Sequence, residues 1–254
     1  MKFGTTWTVL ASAATLVASF AFPLDAVAQS PAKSVVLVHG AFADGSSWQR
    51  VIPFLKKAGL NVIAVQNPLD SLESDVAAAN RALALAEGPV VLVGHSWGGV
   101  VVTQAGIHEK VKSLVYVAAF VPDVGESLAD TAKNYPESPG QAFLLKDASG
   151  YLKFSDEGVF KHFAADLPRA DQEIVAATQG PFSHNATQQR VTEAAWHKKP
   201  SFVMVTTKDT VASPQMQRGQ VQRMKSTVVE VASSHVAMLS HPEDVATLIL
   251  AAAK

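Results

Sequence analysis

The sequence predicts an α/β fold: a doubly wound, mostly parallel sheet with a small, mainly helical insertion. Three observations lead there. Short apolar, β-branched runs alternate with alanine-rich amphipathic ones along most of the chain. The β-type runs are apolar on both faces rather than at every second position, as expected of strands covered on each side. One stretch, at about 121–195, leaves this rhythm and turns rich in Pro, Asp, Ser and aromatic residues.

The elements follow in order. Strands are predicted over 34–39, 61–66, 90–94, 112–118, 202–207 and 227–231, and helices over 46–57, 73–86, 96–107, 214–224 and 242–253. The first helix shows capping-box spacing, Ser46 with Gln49, and the last begins with Pro242 in its first turn. A parallel sheet of this kind places its sites beyond the carboxyl ends of its strands. The 121–195 stretch has no internal repeat and no linker composition, so it is read as a cap over those strand ends.

Length and composition bound the rest. A chain of 254 residues fits one large α/β domain, and 48% hydrophobic against 17% charged residues supplies a sizeable core. Residues 1–28 are read as an export signal. Lys2 gives a positive start, 9–22 is apolar, and Ala26-Val27-Ala28 is a small-x-small cleavage site before Gln29. The other reading is a membrane anchor, but the apolar run is short for a span, and Thr15, Ser19 and Pro23 weaken it. Cleavage would leave 29–254 as the mature domain, in an exported, periplasmic or secreted setting.

It would also remove one charge of each sign, Lys2 and Asp25, so the net charge stays at -1. That balance gives no electrostatic basis for a nucleic-acid partner, or for a membrane partner once the signal is gone. The chain has no cysteine, which excludes thiol catalysis, a Cys-ligated metal and disulfides. No H-E-x-x-H cluster points to a metal. No feature fixes an oligomeric state.

The chemistry centres on Gly94-His95-Ser96-Trp97-Gly98, a G-x-S-x-G match. Alone it is weak, since with Gly and Ser each near ~7% of residues it recurs by chance in about one chain in ten of this length. Context raises it, because the match closes a predicted strand and opens a predicted helix. At such a turn a strained serine is lifted above the sheet, and flanking glycines let strand and helix approach. The bland alternative is a serine that merely caps the helix.

A serine hydroxyl needs a base, and the base needs an acid to orient it. Of eight histidines, His39 and His95 sit beside glycines at strand ends and read as structural. His108, His162, His184 and His197 read as solvated or packed, and at His241 a helix-capping role suffices. His235 lies in SSHVAML, past the last strand and before the last helix, where a general base belongs. For the acid, Asp209 directly follows the 202–207 strand, and Asp123, in AAFVPD, is the runner-up. The order Ser96, Asp209, His235 suits this architecture. The backbone N–H groups of Ala41, in VVLVHGAF, and of Trp97 are the natural oxyanion donors, although Gly40 could be a plain turn glycine. Phe42, Trp97, Phe120 and Met238 lie near the inferred site and suggest an apolar substrate pocket, with ordinary core packing as the alternative.

These residues resemble the α/β-hydrolase superfamily, and within it the small esterase and hydroxynitrile lyase branch of plant methyl-ester esterases and bacterial relatives. The matching text is LVHGAFADGSSW, LVGHSWGG, VAAFVPD, TTKDTVASPQMQ and SSHVAMLSHPEDVA, spread over most of 33–250. The resemblance implies an α/β-hydrolase fold, a Ser96/Asp209/His235 triad, oxyanion amides at Ala41 and Trp97, a cap over the acyl pocket, a small-molecule ester substrate and no cofactor.

Departures matter as well. A mature chain beginning at Gln29 would start almost at the HG strand, without the leading antiparallel strands of larger members. In the lyase members a lysine follows the triad histidine, and here Val236 stands there, which favours hydrolysis. Ser rather than Asp at 96 argues against a haloalkane dehalogenase. A lyase, a cofactor-free perhydrolase or a C–C hydrolase on the same triad remains an alternative, as does a non-catalytic binding protein of this fold.

Overall fold

Six apolar runs pair into one sheet in the computed structural model, which describes Met1, Lys2, Gly4 and residues 30–254. The export-signal reading of 1–28 therefore rests on residues outside that description. In chain order the elements are β1 (Ser34–Val38), α1 (Ile52–Lys57), β2 (Asn61–Ala64), α2 (Leu72–Leu85), β3 (Val90–His95), α3 (Trp97–Ala105) and β4 (Val111–Val117). The cap carries α4 (Leu128–Ala132), β5 (Leu144–Lys146), β6 (Tyr151–Phe154), α5 (Asp156–Gly158), α6 (Arg169–Ala177) and β7 (Phe182–Ser183). The chain then returns through β8 (Ser201–Thr206), α7 (Pro214–Gln222), β9 (Ser226–Val231), α8 (Ala237–Ser240) and α9 (Pro242–Ala252).

The main sheet runs β2-β1-β3-β4-β8-β9, and every pairing in it is parallel. β1 and β3 are buried along their whole length, which is why 35–38 and 90–93 are unbroken apolar runs. The exposed side chains of β2 and β9 mark the two edges. α1 packs on β2 and α9, while α2 and α3 pack on each other and on β1 and β3. From β1 the chain turns outward to β2 and then crosses back to β3, so the strand order reverses between β1 and β3. Loops leaving the two strands part there and open a crevice.

Two local expectations are corrected. The predicted helix over 46–57 is broken into a 3₁₀ turn, Gly45–Trp48, and α1. Pro53 lacks an N–H and suits only a first turn, so the helix restarts at Ile52. The cap of that 3₁₀ turn is Asp44 rather than Ser46, with Oδ1 accepting the Ser46 N–H at 2.7 Å. Besides its short helices, the insertion holds a three-stranded antiparallel sheet, β5-β6-β7, that the sequence did not announce.

Candidate active site

Ser96 sits at the junction of β3 and α3 with φ 51° and ψ -120°, a strained conformation for a residue with a side chain. Its backbone is held from several sides. The Ser96 N–H donates to the Val117 carbonyl at 3.2 Å, and its own carbonyl accepts from Gly99 at 2.9 Å and Phe120 at 3.2 Å. The turn also needs two close approaches. A Cβ on Gly98 would lie 2.4 Å from the Val38 carbonyl oxygen, and one on Gly40 would lie 2.7 Å from Ser96 Cβ. Gly40 is thus more than a turn glycine, because it lets the loop after β1 lie against Ser96.

The Ser96 hydroxyl is 2.8 Å from His235 Nε2, and His235 Nδ1 is 2.7 Å from Asp209 Oδ2. These three side chains, drawn from the ends of β3, β9 and β8, form one hydrogen-bonded line. The His235 and Asp209 side chains are fully shielded from solvent. Asp209 is fixed at both oxygens. Oδ1 accepts the N–H groups of Val211 (2.8 Å) and Ala212 (3.0 Å), and Oδ2 also accepts from Thr206 Oγ1 (2.9 Å) and Gln217 Nε2 (3.1 Å). The carboxylate therefore favours an Nδ1–H tautomer, leaving Nε2 as acceptor for the serine proton.

Asp123 is elsewhere. Its Oδ1 pairs with His197 Nε2 at 2.8 Å on an exposed part of the surface. His197 and Arg223 outweigh the partial desolvation of that carboxyl and hold it below the usual range.

His39 and His95 have structural partners. The Asn67 N–H donates to His39 Nε2 at 2.9 Å. His95 Nε2 pairs with the His235 carbonyl at 2.9 Å, which ties the His235 backbone to β3. Burial, followed by the neighbouring His235 ring 4.8 Å away, pushes the His95 imidazole well below its ordinary range and keeps it a neutral donor.

Ala41 and Trp97 flank Ser96 in a cavity of about 310 Å³ that Phe42, Phe120 and His235 also line. Among the described residues the N–H groups of Ala41 and Trp97 donate to no protein acceptor. Phe42 holds φ 60°, so the loop that presents Ala41 is strained in the same way as the serine turn. Met238 does not line this cavity. It is fully buried in α8, which carries it into the hydrophobic core rather than to the pocket wall.

Two supporting acids escaped the reading of the sequence. Asp75, on α2, is fully buried, and its Oδ2 accepts the Trp97 indole N–H at 2.7 Å while Oδ1 accepts the Leu69 N–H at 2.8 Å. Desolvation pushes its carboxyl up, against the two hydrogen bonds. A signal was present: Leu72, Asp75, Ala79 and Leu83 share one buried stripe at helical spacing. Asp166, in the cap, accepts from the N–H of Ser234 at 2.9 Å and from its hydroxyl, so it clamps the loop that carries His235.

Desolvation raises the Asp166 carboxyl, but hydrogen bonds from the hydroxyl and amide of Ser234, with the Ser240 and Ser233 hydroxyls, outweigh it and the net shift is downward. The folded state thus binds this proton less readily than the unfolded chain, and the clamp's contribution is present above about pH 4 and lost as pH falls through the lowered value. Asp166→Asn is expected to lower Tm near neutrality and to approach wild type as pH falls below the lowered carboxyl value. Coincident Tm values for the two proteins at neutral pH would show that the clamp contributes nothing.

Residues 35–248 match the family described as the Alpha/beta hydrolase family. A carbendazim-hydrolyzing esterase of Nocardioides sp. is 37% identical over 109 residues, 37% of this chain and 44% of that protein. Methylesterase 7 of Arabidopsis thaliana is 24% identical across 86% of this chain and 95% of its own length. The crystal structure of a pyrethroid hydrolase from Sphingobium faniae JZ-2 superposes with a TM-score of 0.76 at 22% identity, covering 87% of this chain and 97% of that one. That last likeness concerns the fold.

Proposed function

The chain belongs to the alpha/beta hydrolase family, and we propose that it is an exported serine hydrolase that cleaves carboxylic esters of small molecules. The observation that carries this reading is the line Ser96–His235–Asp209, with heavy-atom separations of 2.8 and 2.7 Å. Full-length kinship with a methylesterase and the partial match to an ester-cleaving bacterial enzyme support the ester bond as target.

In the proposed cycle the substrate carbonyl lies against the Ala41 and Trp97 amides. Ser96 Oγ attacks it, and its proton passes to His235 Nε2 while Asp209 holds the imidazolium. The tetrahedral oxyanion is stabilised by the two N–H groups, each worth roughly 10²–10³ in rate. His235 then gives the proton to the departing alkoxide, leaving an acyl-serine. Water attacks the acyl carbon, its proton goes to His235, and the acid departs as that proton returns to Ser96. The apolar walls supplied by Phe42, Trp97 and Phe120 exclude bulk water and strengthen each polar contact.

Val236, the residue after the base, is an apolar side chain with 2% exposure, so no cation stands there for cyanide. That supports hydrolysis over the lyase alternative. Support for export is the Lys2 start, the apolar 9–22 run and the Ala26-Val27-Ala28 site. A panel of p-nitrophenyl and methyl esters beside mandelonitrile tests the reaction, and the N-terminus of the exported protein, expected at Gln29, tests the setting. Cyanide release without ester cleavage, or no turnover of any ester, would overturn the hydrolytic reading. Retention in the cytoplasm of the source cell would overturn the export.

A further inference from the structure

The small cap sheet turns one face to the cavity. Its cavity-lining residues are Leu144 and Lys146 on β5, Leu152 and Phe154 on β6, and Phe182 on β7 with His184 just beyond it. These are alternate positions on each strand, as the pleat requires. The register sets Leu144 opposite Phe154, and Lys146 opposite Leu152, which in turn faces Phe182.

One end of this face is aromatic and close to Ser96's neighbours. Phe42 meets Phe154 and Phe182 at ring separations of 5.0 and 5.8 Å, and Phe182 meets Trp97 at 5.0 Å. The other end is basic. A Cβ on Gly150 would lie 3.9 Å from Lys146 Cε, so the lysine stem runs over that glycine. The His184 N–H donates to the carbonyl of the same Gly150 at 3.1 Å. Lys146 and His184 thus both line the cavity beside Gly150, the first by its side-chain stem and the second through its backbone.

Neither is directly paired with a carboxylate there. The nearby Asp147 carboxylate is engaged by the N–H groups of Ser149 and Tyr151, and Asp70 by the Tyr151 hydroxyl. Among the described residues neither Lys146 Nζ nor the His184 ring has an ion-pair or hydrogen-bond partner. An ammonium and an imidazole, unpartnered on the wall of a largely apolar cavity, suit an anion carried by an apolar substrate.

We propose that Lys146 and His184 form an anion subsite, and that the preferred substrate is an ester whose acyl chain ends in a carboxylate. This rests on the hydrolytic reading of Ser96. The test compares mono-p-nitrophenyl esters of succinate, glutarate and adipate with p-nitrophenyl butanoate, pentanoate and hexanoate. The quantity read is the ratio of kcat/KM, anionic over neutral, at each chain length.

At the matching length the wild-type ratio is expected to exceed that of Lys146→Ala or His184→Ala by about three- to tenfold, the size of a partly exposed charged hydrogen bond. Lys146→Glu lowers it further, and 0.5 M NaCl narrows the gap. Equal ratios for wild type and all three variants at every length, with the neutral esters still cleaved, would overturn the subsite and leave the hydrolase standing. If wild type cleaves neither series, the hydrolytic reading fails and the subsite with it.

Discussion

Ser96→Ala is expected to lower kcat/KM for p-nitrophenyl esters by roughly 10⁴–10⁶-fold, the loss seen when a nucleophile is removed from a unit that acts together. The reason is local. The Ser96 oxygen is the group in the cavity that stands 2.8 Å from a histidine already oriented by a buried carboxylate. The fold should survive, because the hydrogen bonds that fix the strained turn come from the backbone of residue 96 and not from its hydroxyl. Circular dichroism and Tm close to wild type, with turnover lost, is the expected pair of results. Wild-type-like turnover by this variant would remove Ser96 from the chemistry.

Asp209→Asn should cost about 10⁴-fold, through the tautomer rather than through packing. Oδ1 faces two backbone N–H donors, Val211 and Ala212, so an asparagine must place its oxygen there. Its NH₂ then occupies the Oδ2 position, 2.7 Å from His235 Nδ1. That nitrogen becomes an acceptor, the ring proton moves to Nε2, and Nε2 can no longer take the serine proton. The loss should fall on kcat, with little change in the binding of an unreactive ester analogue. Asp123→Asn is the control, since its partner is the exposed His197, and near-wild-type rates are expected. A large loss from Asp123→Asn with a small one from Asp209→Asn would reverse the assignment of the acid.

Much of the architecture was legible in the chain. Strands buried on both faces are mostly apolar, and β1, β3 and the 114–117 part of β4 are written that way. The loops after β1, β3 and β8 then carry Gly40, Ser96 and Asp209, which chain order alone brought into one frame. What the sequence could not show was the cap sheet. β5, β6 and β7 are two to four residues long, too short for a period to emerge, and Tyr151 pairs with Ser183, far along the chain. His184 was therefore read only as a solvated or packed side chain, and Lys146 drew no reading.

Met238 was misread for a related reason. Closeness to His235 in sequence says little about direction, and a single helical turn swings the side chain into the core. Asp75 was overlooked because a carboxylate on a helix usually marks the solvated face. Here it sits on the buried stripe and serves Trp97.

The central claim is that the oxygen of residue 96 is made nucleophilic by the imidazole beside it. The direct measurement is covalent labelling by a serine-directed phosphonate, followed by mass spectrometry of the peptide that contains LVGHSWGG. One adduct per chain on Ser96, abolished by Ser96→Ala and strongly slowed by His235→Ala, is the predicted result. A folded protein that takes no label, or one labelled at another residue, would contradict it.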